Sequence, residues 1–222
     1  MKIAICLSGY TGYEEKLYSL STESHTLLDL NIGYEYYKKN VIQDYDVDTY
    51  VHSWSVDMKE EILDTYKPKK YTIEKQLGEE VGILNAGYSQ WYSRKKSIEL
   101  MLDSDTIYDW VILSRFDVAL DFPFEFEEYN NKEIYLAGEK RSEEVNDLYF
   151  MSNMDNMKYI SKTFDNLEKF GYNIESQHGG LKGGIHHAVG LYIRKKFNSK
   201  LNYLGTDVTN KPDIKMIRGF KK

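Results

Sequence analysis

Trp110-Val111-Ile112-Leu113-Ser114-Arg115-Phe116-Asp117 is the stretch on which the reading of this chain turns. A continuous apolar run, without polar alternation, marks a strand covered on both faces, as in the centre of a parallel sheet. The run then ends in an arginine and a carboxylate. Charge at the edge of a core needs a partner, and the partner is an ion, a phosphate or the other charge. Two readings follow and both stay open. Arg115 and Asp117 form an ordinary ion pair closing the strand, or Asp117 holds Mg²⁺ or Mn²⁺ facing a phosphorylated ligand.

Working outward, the pattern repeats. Ile3 to Leu7 is another short apolar run, ending at Ser8-Gly9-Tyr10-Thr11-Gly12. Thr49-Tyr50-Val51-His52-Ser53-Trp54 reads as a second strand and Tyr71-Thr72-Ile73 as a third. Helical spacing is expected over residues 23–39, 58–66 and, most clearly, 85–103. Later come strands at 133–137 and 147–151, then a helix from Asn153, a plausible N-cap, to Phe170. Strands alternating with helices predict an α/β layered fold. The 222 residues fit one domain over 1–222, with a polar tail from about residue 207 expected to be loosely ordered.

Ligands of open α/β sheets sit beyond the carboxyl ends of the strands. That rule gathers Ser8, Gly9 and Tyr10, then His52 and Trp54, then Arg115 and Asp117, at one sheet edge. Gly9 lets a ligand approach the backbone, and the turn's N–H groups suit phosphate. The spacing is neither a dinucleotide fingerprint nor a P-loop. Arg94 reads as part of a solvated Arg-Lys-Lys run or as a bidentate phosphate ligand. Asn146-Asp147 is a strand-start cap or a general base. His186 and His187 follow a glycine loop, Gly179 to Gly184; only one of two adjacent rings can face a given site. Asp44, Asp46 and Asp48 lie at the amino end of their strand, the wrong side for a shared metal.

Composition excludes other classes. With 35 acidic against 29 basic residues, the net charge of −6 argues against nucleic-acid or anionic-membrane partners. A single cysteine, Cys6, allows no internal disulfide and fits a reducing interior. The first apolar run is shorter than a signal-peptide core of roughly 7–15 residues, and nothing approaches the ~18 apolar residues of a membrane span. A cytoplasmic location is the expectation. Twenty tyrosines supply flat faces suited to sugar rings, or simply reflect biased composition.

Five segments in order resemble a family of small glycosyltransferases with the GT-A fold, found in bacterial surface-polysaccharide loci and in large algal viruses. They are residues 2–9, 45–54 and 90–97, Ser114-Arg115-Phe116-Asp117, and Asn146-Asp147-Leu148-Tyr149-Phe150; together they span roughly residues 1 to 170. The resemblance implies a mostly parallel central sheet flanked by helices. It implies transfer of a hexosyl or deoxyhexosyl group from a nucleotide-diphosphate sugar, expected to be UDP-linked, to a saccharide hydroxyl in glycan biosynthesis. Ser8, Gly9, Tyr10, His52, Trp54, Arg94 and Arg115 would hold the nucleotide sugar. Asp117 and His187 (or His186) would hold Mn²⁺ or Mg²⁺, and Asp147 would act on the acceptor. The chain departs from the family at Arg115, where the Asp-x-Asp motif has its first carboxylate. Two further readings remain: a non-catalytic nucleotide- or glycan-binding module, and a sugar nucleotidyltransferase.

Overall fold

The structure is a computed structural model, describing residues 1–11, 28–76, 86–138, 145–172, 184–204 and 214–217. Its centre is a seven-stranded sheet in the order β3-β2-β1-β4-β7-β6-β8. The strands are β1 (Lys2–Gly9), β2 (Asp46–Ser53), β3 (Lys70–Ile73), β4 (Trp110–Arg115), β6 (Ile134–Ala137), β7 (Phe150–Ser152) and β8 (Leu201–Leu204). β1 pairs in parallel with both β2 and β4, β2 with β3, and β6 with β8. Only β7 runs against its neighbours β4 and β6. The mostly parallel α/β architecture expected from the sequence is the one observed.

Period-two alternation explains how the sheet divides the core. Ile3, Ile5 and Leu7 of β1, with Trp110 and Ile112 of β4, pack on one face. That face is covered by α1 (Leu30–Tyr37), α2 (Lys59–Tyr66) and a small antiparallel sheet of β5 (Val118–Leu120) and β9 (Ile214–Met216). Ala4 and Cys6, with Val111 and Leu113, point to the other face. There they meet α3 (Ala86–Leu102), α4 (Met154–Ser161) and α5 (Gly184–Phe197). Small side chains on the second face of β1 let α3 lie close against it. Burial pushes the Cys6 thiol well above its ordinary range, which makes it a core residue and not a nucleophile.

Local sequence sets the ends of the elements. The Asp29 side chain accepts from the Asn31 N–H and caps α1, which then widens into a π-helical turn, Lys38–Ile42. Asn153 caps α4 by accepting from the Asn156 N–H, as expected. That helix is shorter than its sequence pattern suggested: it stops at Ser161 and continues as two 3₁₀ turns up to Phe170. Asp147 lies ahead of β7, not within it. In the tail expected to be loose, Ile214–Met216 forms a strand on β5, with Ile214 buried. The Gly179–Gly183 stretch, Gly12 and residues 23–27 of the first expected helix lie outside the described residues.

Candidate functional site

Alternation also decides which polar residues share the α3 face of the sheet. Ser8 follows Ala4 and Cys6 on β1, His52 follows Tyr50 on β2, and Arg115 follows Val111 and Leu113 on β4. In register, Ser8 lies opposite both His52 and Arg115. Because β7 is antiparallel, its start, preceded by Asp147, comes to the same carboxyl edge as the end of β4. Three strand ends and one strand start therefore meet under the first turns of α3.

The α3 residues that face them are polar at spacings normally apolar: Gln90, Ser93, Arg94 and Ser97, positions i, i+3, i+4 and i+7. Ser93, Arg94 and Ser97 are all fully buried. The Ser93 hydroxyl accepts the Gly9 N–H at 2.8 Å and lies 2.8 Å from His52 Nδ1. His52 Nε2 is 3.1 Å from the Glu74 carboxylate. A carboxylate only accepts, so Nε2 carries the proton and Nδ1 accepts from Ser93. Burial lowers the pKa of His52, against the opposing pull of Glu74, and keeps the ring neutral.

His52 thus has 0 % exposure and both ring nitrogens engaged. It ties α3 to β1 and β2 and presents no polar atom to a ligand. Two N–H groups of the Ser8–Thr11 turn are likewise used internally, Gly9 on Ser93 and Thr11 on Ser55. The Tyr10 hydroxyl donates to the Gln76 side chain. Trp54 is buried, stacked on Tyr92 at 5.5 Å and edge-on to His52 at 4.6 Å. Its indole N–H is buried with no hydrogen-bond partner among the described residues. Ser8, His52 and Trp54, expected to face a nucleotide, are thus buried in this packed layer beneath the sheet edge.

The most unusual feature is a buried ion pair. Arg94 is 0 % and Asp147 2 % exposed. The Arg94 guanidinium lies 4.8 Å over the Trp91 ring and 5.7 Å from the Phe150 ring. Its Nη2 donates to the Asp147 carbonyl oxygen, and Nη1 stands 3.7 Å from Asp147 Oδ2. Nε and Nη1 have no hydrogen-bond partner among the described residues. Burial brings the Arg94 pKa down to about 10, with Asp147 opposing the shift. Gln90 Nε2 donates to Asp147 Oδ2 at 2.9 Å, and His186 Nδ1 of α5 lies 3.6 Å from Oδ1. Of the two histidines it is His186, not His187, that meets Asp147. The first turns of α3 and α5 come this close because residue 87 is glycine: a Cβ there would stand 2.7 Å from the Tyr172 hydroxyl and 3.1 Å from Ile185.

Arg115 and Asp117 form the other charged pair. Nε donates to Asp117 Oδ1 at 2.7 Å and Nη2 to Oδ2, a bidentate fork with side chains 26 % and 18 % exposed. Of the two readings of this strand end, the geometry is that of the ion pair. A divalent ion at Asp117 would first have to displace a guanidinium from both carboxylate oxygens. Among the described residues no three His, Cys, Asp or Glu side chains are grouped to hold a metal ion. Of the donors expected for Mn²⁺ or Mg²⁺, Asp117 has both carboxylate oxygens on the Arg115 guanidinium. Among those residues, too, no helix is long and apolar enough to cross a membrane.

Sequence reasoning missed Gln90, Ser93, Glu74 and the contact of His186 with Asp147. A signal for the α3 residues was present: a polar stripe on the helix face that the neighbouring apolar residues mark as buried.

No protein-family model matches the sequence, and no curated protein matches it in sequence. Among solved structures the chain is similar to a glycosyltransferase involved in the glycosylation of the major capsid of PBCV-1. Identity is 10 % and the TM-score 0.51, over 91 % of this chain and 81 % of that one. It is also similar to the glycosyltransferase GlyE of Streptococcus pneumoniae TIGR4, at 12 % identity and a TM-score of 0.44, over 91 % of this chain and 45 % of that one. The first likeness establishes the fold, a glycosyltransferase-like α/β sheet.

Proposed function

We propose that this chain is a glycosyltransferase that moves a sugar from a nucleotide-diphosphate donor, UDP-linked in the simplest case, to a hydroxyl of a saccharide. What carries the reading is the Arg94–Asp147 pair at the carboxyl edge of the parallel strands. A buried guanidinium with unfilled donors and a buried carboxylate cost several kcal/mol to desolvate, and hydrophobic packing would hold the fold at least as well. Groups retained at such a cost, at the carboxyl edge of a parallel sheet, are candidates for chemistry. The shared fold with a solved glycosyltransferase supports the reaction class.

In the reaction the acceptor oxygen attacks the anomeric carbon of the donor. The bond from that carbon to the diphosphate oxygen breaks, and its electron pair leaves with the nucleoside diphosphate. Arg115, held in one orientation by Asp117, is the cation at the strand edge able to stabilise charge developing on the diphosphate. Asp147 serves the acceptor side, with Arg94 beside it and Gln90 donating to Oδ2. Ser8, Gly9, Tyr10 and Trp54 line the nucleotide side, and His52 acts beneath them by fixing α3. Mn²⁺ or Mg²⁺ is given no part at Asp117.

The test is a thermal-shift panel of nucleotide sugars. A ligand at 100 times its Kd stabilises the folded state by about 2.7 kcal/mol. At roughly 2–4 °C per kcal/mol for a chain of this size, that raises Tm by roughly 5–11 °C. Release of a nucleoside diphosphate from the stabilising donor supports transfer; release of pyrophosphate from a nucleoside triphosphate would make the chain a nucleotidyltransferase. Stabilisation without turnover would make it a binding module.

A further inference from the structure

Asp147 is poorly placed to take a proton itself. Its carboxylate is 2 % exposed, with Oδ2 accepting from Gln90 and Arg94 beside it. These contacts occupy Oδ2, and burial leaves an acceptor hydroxyl little direct access to it. Its other oxygen, Oδ1, faces the ring of His186 at 3.6 Å. His186 differs in every respect that matters. Its side chain is 49 % exposed, it stands in the first turn of α5, and the nitrogen it turns to Asp147 is Nδ1. A carboxylate at Nδ1 fixes the tautomer in which Nε2 is unprotonated, and it stabilises the imidazolium that forms when Nε2 takes a proton. Catalytic contacts of this kind are often long before substrate binds.

We propose that His186, oriented through Nδ1 by Asp147, is the general base of the reaction, taking the acceptor hydroxyl proton at Nε2. The inference rests on the glycosyl-transfer reading above and names the group that completes it. The acceptor oxygen–hydrogen bond breaks toward Nε2 as the oxygen–carbon bond forms at the anomeric centre. The electron pair of the old glycosidic bond departs with the diphosphate. The proton remains on an imidazolium paired with Asp147, whose own charge is offset by Arg94; the Arg115–Asp117 pair completes the charged groups around Arg94. Base-assisted attack from the acceptor side is a single displacement, so the product carries the anomeric configuration opposite to the donor's. In this arrangement Arg94 and Gln90 are positioning residues, acting through Asp147.

The experiment compares wild type with His186→Ala on a panel of UDP-, GDP- and dTDP-linked hexoses, with water as the acceptor. Donor binding is read from the Tm increment and turnover from released nucleoside diphosphate. The variant is expected to keep the wild-type Tm increment, because its exposed side chain touches the acceptor and not the nucleotide. Its turnover is expected to fall about 100-fold or more, the ordinary worth of a general base. Added imidazole should restore at least about a tenth of the loss by occupying the vacated space beside Asp147. Turnover at the wild-type rate in the variant would overturn the proposal, as would a loss that imidazole leaves untouched, or a product of retained configuration. If wild type neither binds nor cleaves any donor of the panel, the glycosyl-transfer reading itself falls, and this inference with it.

Discussion

Replacing Arg94 by Met removes one half of a buried ion pair while leaving its volume nearly filled. Deleting one partner of such a pair costs about 3–5 kcal/mol, because the other charge stays buried without compensation. Arg94→Met belongs at the lower end: Asp147 keeps its 2.9 Å bond from Gln90, though its carbonyl loses the Nη2 donor. Asp147→Asn belongs at the upper end, since the guanidinium it leaves already has Nε and Nη1 without partners among the described residues. At roughly 2–4 °C per kcal/mol, each substitution lowers Tm by roughly 6–20 °C. The double variant Arg94→Met/Asp147→Asn buries no charge at this point. Its cost should fall short of the summed singles by about 2–3 kcal/mol, the upper range for residues in contact. Urea unfolding of the four proteins, at matched m values, measures the cycle. A cost below about 1 kcal/mol for Arg94→Met, or additivity within about 0.5 kcal/mol, would refute the claim that these charges depend on each other.

Other outcomes follow from the same geometry. His52 is held neutral, its pKa lowered from the ordinary ~6.5. The unfolded chain therefore binds the extra proton first, so stability is complete above about pH 6.5 and declines as pH falls below it. In His52→Asn, Tm against pH should lose that acid slope, at a cost of about 1–3 kcal/mol for the Ser93 hydroxyl left underneath; an unchanged slope would assign it elsewhere. MnCl₂ alone should leave Tm where EDTA leaves it, whereas a metal-dependent rise abolished by Asp117→Asn would restore Asp117 as a ligand. Asp117→Asn by itself should cost about 1.5–3 kcal/mol through the lost charged fork, read by urea unfolding. Gly87→Ala should cost about 1–3 kcal/mol through overpacking and reduce turnover more than donor-induced stabilisation, because it separates the first turns of α3 and α5.

The parallel half of the sheet was legible because its signal is local. Ile3 to Leu7 and Trp110 to Leu113 are short apolar runs with polar ends, and Thr49 to Trp54 is β-branched and aromatic. Each marks a strand, β2 beginning three residues earlier than expected. The rule that ligands meet the carboxyl ends of strands picked out three strand ends that are neighbours in the sheet. It could not show that His52 and Gly9 would spend their polar atoms on Ser93, because that choice depends on how closely α3 approaches β1. Nor could it rank His186 over His187. Adjacent residues on a helix point about 100° apart, and which one faces Asp147 depends on the approach of α5 that Gly87 permits. Arg94 reads as part of a solvated Arg-Lys-Lys run or as a phosphate ligand, whereas helical periodicity separates it from Lys95 and Lys96 and turns it inward. Arg115 and Asp117 read equally as an ion pair or a metal site, and only side-chain geometry shows the fork between them.

The pairing of β9 with β5 bears on how the charged corner is made during synthesis. Ile217 N–H bonds to the Asp117 carbonyl at 2.7 Å, and Lys215 pairs with Asp121 across 94 positions of chain. At ribosomal speeds of about 5–20 residues per second, Asp121 waits roughly 5–20 s for that partner to be polymerised. Through that interval the turn after β4 is without its C-terminal cover, and Phe116 and Val118 have only part of their final packing. The nascent polypeptide can assemble β1, β2, β3 and β4 before β9 is made. The charged turn after β4 is therefore covered later than the strands that precede it, and a chaperone that shields this turn would act in that window.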